Sequence, residues 1–280
     1  MTQRDFVNGA TVTLAGFPTD SNSSFVRGPA KAPSRIREQL WSEAGNSFTE
    51  SGLDLKTPGL LYDAGDALLN EDEHDRAIIE STIGELLDAG TRVVSLGGDH
   101  SITYPIVRAY ATRFPDLSIV HFDAHPDLYP SFGGNRFSHA CPFARILEDT
   151  GVTSLVQIGI RTMSAVQKGV AERYGVRVFS PYELDAVIEA LPNGPVYVTI
   201  DLDGLDPAFA PGVSHREPGG LSVREVLATV RAIPGTVVGA DVVELNPDQD
   251  TGDMTAGVAA KLAKELVSRM VADARHGERT

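Results

Sequence analysis

The chain has 280 residues, 42% hydrophobic and 22% charged, enough apolar side chain for one large core and an ordinary hydrophilic surface. Its formal net charge of −14 disfavours nucleic acid or an anionic membrane as a partner and suits a cationic ligand, and the single cysteine, Cys141, excludes an internal disulfide and a cysteine-based zinc site. No apolar run approaches the roughly 18 residues of a membrane span, and the opening residues lack a basic segment followed by a long apolar core, so a cytosolic enzyme is expected.

In chain order, apolar or β-branched runs at Thr11–Phe17, Thr91–Gly98, Ser118–Ala124, Ser154–Ile160, Val196–Asp203 and Thr236–Glu244 read as strands. Segments between them, such as Glu73–Gly90 and Ser222–Ile233, carry apolar residues at spacings of three and four and read as helices. A last amphipathic helix is expected at about Thr255–Ala274. This alternation predicts an α/β fold with a mostly parallel sheet covered on both faces. No repeat or long Pro/Gly/Ser linker divides the chain, so residues 1–280 are expected to form a single domain.

Ligands of open α/β sheets bind beyond the carboxyl ends of the strands. Four of the predicted strands end there in acids and imidazoles: Asp99 and His100 after Gly97 and Gly98; Asp123, His125 and Asp127; Asp201, Asp203 and Asp206; Asp241 and Glu244. Taken singly, Asp99 reads as a helix cap, Asp206 before Pro207 as turn chemistry, and Glu244 as a strand-end charge. The spacing of Asp123, His125 and Asp127 at every second position predicts that a strand points all three to one face. Such a cluster calls for a cation, because unpaired buried carboxylates cost several kcal/mol and repel one another.

His100, Asp123, His125, Asp127, Asp201 and Asp203 form a thiolate-free candidate ligand set that suits manganese or a similar divalent ion better than structural zinc. The EF-hand spacing of a calcium loop is missing. Four carboxylates exceed the need of one ion, and a metal pair able to hold a water between its members accommodates them.

The segments "GGDHS", "DAHPD" and "DLDGLDPAFAPGVS", in that order, resemble the manganese-dependent ureohydrolases, the family of arginase and agmatinase. The similarity runs from about Val12 to Met270, and "NRFSHACPFARILE" and "EPGGLSVREVL" look most like plant-type arginases. The resemblance implies a three-layer α-β-α fold around an eight-stranded sheet, two Mn2+ per subunit (with Ni2+ conceivable), and a homo-oligomer, often a trimer or hexamer. One ion would take His100, Asp123, Asp127 and Asp201, and the other Asp123, His125, Asp201 and Asp203. His139 would shuttle a proton to the leaving amine, Asp127 would accept one during attack, Glu244 would pair with the substrate guanidinium, and Asp241 would be a buried supporting carboxylate. Thr162, Met163, Ser164 and Gln167 stand where animal-type arginases carry acids for the substrate's amino-acid end, so that handle is absent, as in plant-type enzymes. Asn135, Ser138 and the loop of His215 and Arg216 are the places expected to read the substrate's tail. L-Arginine is the expected substrate, agmatine the second and guanidinobutyrate the third. A single-zinc deacetylase-like enzyme and a non-catalytic guanidino-binding protein are the alternatives.

Overall fold

A computed structural model describes residues 11–277. Eight strands, β1 Val12–Phe17, β2 Leu61–Asp66, β3 Arg92–Gly97, β4 Ser118–Phe122, β5 Ser154–Ile158, β6 Arg177–Phe179, β7 Pro195–Asp201 and β8 Thr236–Val243, form one sheet in the order β2-β1-β3-β8-β7-β4-β5-β6. Every pairing is parallel, so all strands end on the same edge. Among the described residues there are eight α-helices, α1 Ala32–Leu40, α2 Asp75–Asp88, α3 Thr103–Arg113, α4 Pro142–Asp149, α5 Ala165–Tyr174, α6 Leu184–Ala190, α7 Val223–Ala232 and α8 Met254–Gly277, besides short 3-10 turns.

Two apolar layers sandwich the sheet, as a sheet buried on both faces requires. One gathers Val94, Val120, Val156 and Val198 against Ile36 of α1, Val226 of α7 and Leu262 and Leu266 of α8. The other gathers Val93, Ile119, Leu155 and Tyr197 against Ile79 and Ile83 of α2, Ile106 and Tyr110 of α3 and Phe143 of α4. The alternation of these sets along each strand is the period of two that a pleated strand imposes.

On the second face five adjacent strands each place a polar side chain in one register row. Ser95 lies opposite Asp241, Asp241 opposite Thr199, Thr199 opposite His121, and His121 opposite Gln157. All five are fully buried. The row crosses β3, β8, β7, β4 and β5 just beneath their carboxyl ends.

The six strands read from the pattern and the final helix are all present, the helix running from Met254 to Gly277. The two strands that the pattern missed are the sheet's edges, β2 and β6. β2, "LYDAGD", carries two carboxylates and a glycine and is half exposed; β6 is three residues long. Edge strands need no continuous apolar run, so neither announces itself.

The period-two expectation for Asp123, His125 and Asp127 needs correction. β4 ends at Phe122, and Asp123 makes the last rung by donating its N–H to Ile158 O. His125 and Asp127 lie in the loop beyond, where Asp127 turns the chain with φ of 49°. Their convergence is the work of a loop, and the strand accounts for Asp123 alone.

Candidate metal centre

The sheet order places β3, β8, β7 and β4 side by side, and their ends carry the predicted residues. Gly98 allows the β3 loop to pass against Thr19, whose carbonyl a Cβ at position 98 would strike. Asp99 then caps the short turn His100–Ile102 by accepting from Ser101 N at 3.0 Å, as expected, and also holds Asn22 N at 3.0 Å. His100 is thereby delivered, fully buried, to the centre of the cluster.

His100 Nδ1 lies 3.2 Å from Asp123 Oδ2, 3.1 Å from Asp127 Oδ2 and 3.2 Å from Asp201 Oδ2. Its Nε2 is 3.0 Å from Thr199 Oγ1, in the polar row. Nδ1 itself makes no hydrogen bond of good geometry among the described residues. A second group lies alongside: His125 Nδ1 is 3.4 Å from Asp123 Oδ1 and 3.2 Å from Asp203 Oδ2. Asp123 thus turns one oxygen to each group. Asp201 Oδ1 accepts Asp203 N at 2.9 Å, and Asp203 Oδ1 accepts Ala124 N at 3.2 Å, which fixes both side chains.

Three carboxylates meeting around a buried imidazole nitrogen without a hydrogen bond, with Asp203 and His125 alongside, make a donor set that fits a divalent cation. Without a cation some of the acids take up protons more readily than a free carboxyl, while Asp123, beside three imidazoles, is held below the usual range. Burial, then the charge of Asp123, pushes Asp127 up to about 7, and the same two causes push Asp203 up to about 6. Burial opposes the charging of His125, but Asp203 and Asp123 outweigh it and raise that imidazole to about 12.

The remaining expected residues sit around one wall. Glu244 follows β8 with φ of 66°, a left-handed conformation that is strained for a residue with a Cβ and tends to occur at functional sites. Its Oε1 accepts His100 N and receives His139 Nδ1, both at 2.8 Å. Its Oε2 takes no hydrogen bond among the described residues. On the far side of His139, Ser24 N lies 3.1 Å and Ser24 Oγ 2.8 Å from Nε2. Burial lowers His139, but Glu244 outweighs it and raises the ring to about 9. Ser24 N–H requires a lone pair on Nε2, hence a neutral ring, whereas Ser24 Oγ can accept from an imidazolium.

Ser138 is buried and Asn135 exposed; Ser138 Oγ is 3.4 Å from Asn22 O, and Asn135 Nδ2 donates to Asn22 Oδ1 at 3.0 Å. Arg216 is exposed and donates to Pro211 O at 2.6 Å and Gln249 O at 3.0 Å, which occupies Nε and Nη2. Its neighbour His215 faces the cluster, with its ring 5.4 Å from that of His139 and 5.9 Å from that of His125. Asp206 accepts Ala208, Gly219 and Gly220 N–H groups, which is the expected turn chemistry. Asp241 is buried in the polar row, holding Thr103 Oγ1 at 2.9 Å and Tyr197 OH at 2.8 Å.

Sequence reasoning missed His121. Its Nε2 lies 2.8 Å from Asp123 Oδ2, and with His100 and Asp123 it forms one of two groups of potential ligand atoms, the other being Asp123, His125 and Asp203. The signal was present, since His121 extends the spacing of two backward from Asp123 into an apolar strand.

The sequence pattern described as the arginase family matches residues 10–268. "Arginase 1, mitochondrial" of Arabidopsis thaliana is 46% identical over 278 residues, covering 93% of this chain and 81% of that protein. "Agmatinase" of Bacillus anthracis is 37% identical over 265 residues, covering 91% and 90%. Among solved structures, arginase from Medicago truncatula superposes with a TM-score of 0.89 at 41% identity, covering 96% of this chain and 92% of that one. The expectation of a cytosolic enzyme is overturned by the plant relatives, several of which are named as mitochondrial proteins. That expectation rested on the pattern of a basic segment followed by a long apolar core, which marks secretion and carries no information about organelles. Among the described residues no helix is long and apolar enough to cross a membrane.

Proposed function

Because this chain belongs to the arginase family of metal-dependent ureohydrolases, we propose that it hydrolyses L-arginine to L-ornithine and urea at the cluster beyond β3, β8, β7 and β4. The observation that carries the metal reading is His100 Nδ1, buried without a hydrogen bond among three carboxylates. The higher identity to a plant arginase, 46% against 37% for an agmatinase, supports arginine over agmatine.

In this reading His100, Asp123, Asp127 and Asp201 would hold one Mn2+ ion, and Asp123, His125, Asp201 and Asp203 the other. When bound, such a pair supplies Lewis acidity and makes water nucleophilic near neutral pH. The chain's own residues do the rest. Glu244 takes a guanidinium N–H on Oε2 while Oε1 stays anchored to His100 N and His139, so the planar cation is oriented by a charge-assisted bond. Asp127, as a carboxylate, accepts the proton lost by water as its oxygen bonds to the guanidino carbon. His139 then delivers a proton to the side-chain nitrogen of ornithine as the carbon–nitrogen bond breaks, leaving urea. Asn135, Ser138 and Arg216 read the amino-acid end. The chain acts as a single domain in a homo-oligomer, a trimer or hexamer.

The test is urea release by manganese-loaded protein from arginine, agmatine and guanidinobutyrate at matched concentrations, with a metal-free control. Arginine is expected to be preferred, and Arg216→Ala to raise KM for arginine more than for agmatine. Preference for agmatine would overturn the substrate, equal KM changes would remove Arg216 from tail recognition, and absence of urea from all three would overturn the activity.

A further inference from the structure

Gln157 Nε2 donates to Pro126 O at 2.7 Å and lies 3.0 Å from His121 Nδ1. A carbonyl oxygen only accepts, so the amide nitrogen must face Pro126; the flipped amide would set two oxygens against each other. With Nε2 fixed there, its second hydrogen points at His121 Nδ1, which must accept. The imidazole proton is therefore on Nε2, aimed at Asp123 Oδ2, 2.8 Å away.

Both nitrogens of His121 are thus committed: one receives a hydrogen bond and the other donates one. Neither keeps a lone pair for a cation, although the ring lies within ligand distance of the cluster. The ring cannot turn away, because it packs 4.0 Å from Phe143 and 5.0 Å from His100 in a fully buried position. Its register partners Thr199 and Gln157 hold it from both sides in the sheet. The carboxylate it meets is the one whose two oxygens face different ligand groups, so a rotation of Asp123 would disturb both.

We infer that His121 is a positioning residue, set as its Nε2–H tautomer by Gln157 and Pro126, which holds Asp123 in the orientation that serves both ligand groups. It is not a metal ligand. The inference rests on the metal-centre reading above and concerns how this chain builds that centre.

The test measures manganese uptake directly, by the electron paramagnetic resonance signal of free Mn2+, in the full-length protein and three variants, with circular dichroism confirming the fold. His121→Phe keeps a ring against Phe143 but removes the donor, and is expected to weaken uptake by about 10–100-fold, the usual cost of losing such an outer hydrogen bond. Saturation should still be reached at the wild-type number of ions. His121→Gln places an amide N–H near the Nε2 position and should restore most of the affinity. Gln157→Leu keeps the ring but frees its tautomer and should weaken uptake by less than His121→Phe; it stands in should His121→Phe fail to fold. Wild-type affinity in His121→Phe, or in Gln157→Leu where that variant alone folds, overturns the inference. So does an equal loss in His121→Gln and His121→Phe, or saturation of His121→Phe with one ion fewer, which would make His121 a ligand. A wild type that takes up no manganese would overturn the metal centre itself.

Discussion

The residues that bear most on turnover are His139 and Glu244, and they form one hydrogen-bonded unit with Ser24 and His100 N. His139→Asn keeps a polar group but removes a base that titrates, so kcat should fall by at least about 10²-fold, the lower end of general acid–base contributions. KM for arginine should change little, because Glu244 retains its contact with His100 N. Steady-state kinetics decide this: an unchanged kcat would mean that another group supplies the proton. His139 was legible only through the "FSHA" resemblance, since a lone loop histidine carries no chemistry by itself. Ser24, its partner 115 positions away, carries no sequence signal at all.

At the scale of elements, the site depends on how closely the strand-end loops approach one another. Gly204 follows Asp203, and a Cβ there would lie 2.7 Å from Asp123 N and 2.9 Å from Asp123 Cα. Backbone cannot move aside as a flexible side chain can, so Gly204→Ala should destabilise the fold by about 1–3 kcal/mol, the usual range for overpacking. Gly84, inside α2, has nothing within 4 Å of the corresponding point. Gly84→Ala should therefore stabilise by roughly 0.5–1 kcal/mol through helix propensity. Urea denaturation of the two variants should give opposite signs; equal signs would show that the β4–β7 loop contact is not tight. The glycine of "DLDG" is visible in the sequence, but what it must avoid is not. The polar row is a similar case: each of Ser95, His121, Gln157, Thr199 and Asp241 is a polar residue within a largely apolar strand, and only register reveals that the five are neighbours.

For the whole molecule, the concentration of buried charge predicts how stability changes with pH. In the metal-free protein His139 is raised to about 9 and His125 to about 12, in each case by carboxylates that outweigh burial, from an ordinary 6.5. The folded state therefore keeps protons that the unfolded chain releases above pH 6.5. Their stabilisation is complete below that value and is lost as pH rises toward 9 and beyond. Asp127, raised to about 7 from 3.8, adds a loss over its own window between those values. His121, lowered to about 4 by burial, acts in the opposite direction, but only below pH 6.5. Tm of metal-free protein should fall between pH 6.5 and 9 by at least about 2–4 °C, the shift that 1 kcal/mol produces in a chain of this size. Manganese requires deprotonated ligands and binds more tightly as pH rises, so the loaded protein should not show the fall. Thermal melts with and without metal test this, and parallel curves would mean that the cluster does not govern stability.

The sequence alone determined the fold class, six of the eight strands and the identities of the clustered acids and of His100 and His125, because strand period, apolar runs and strand-end polarity are local properties of the chain. Only the tertiary structure decided the strand order that brings the ends of β3, β8, β7 and β4 together, the loop that carries His125 and Asp127, and the tautomer of His121. Each of these depends on a partner distant along the chain, through a register, a close backbone approach or a hydrogen bond that no local pattern encodes.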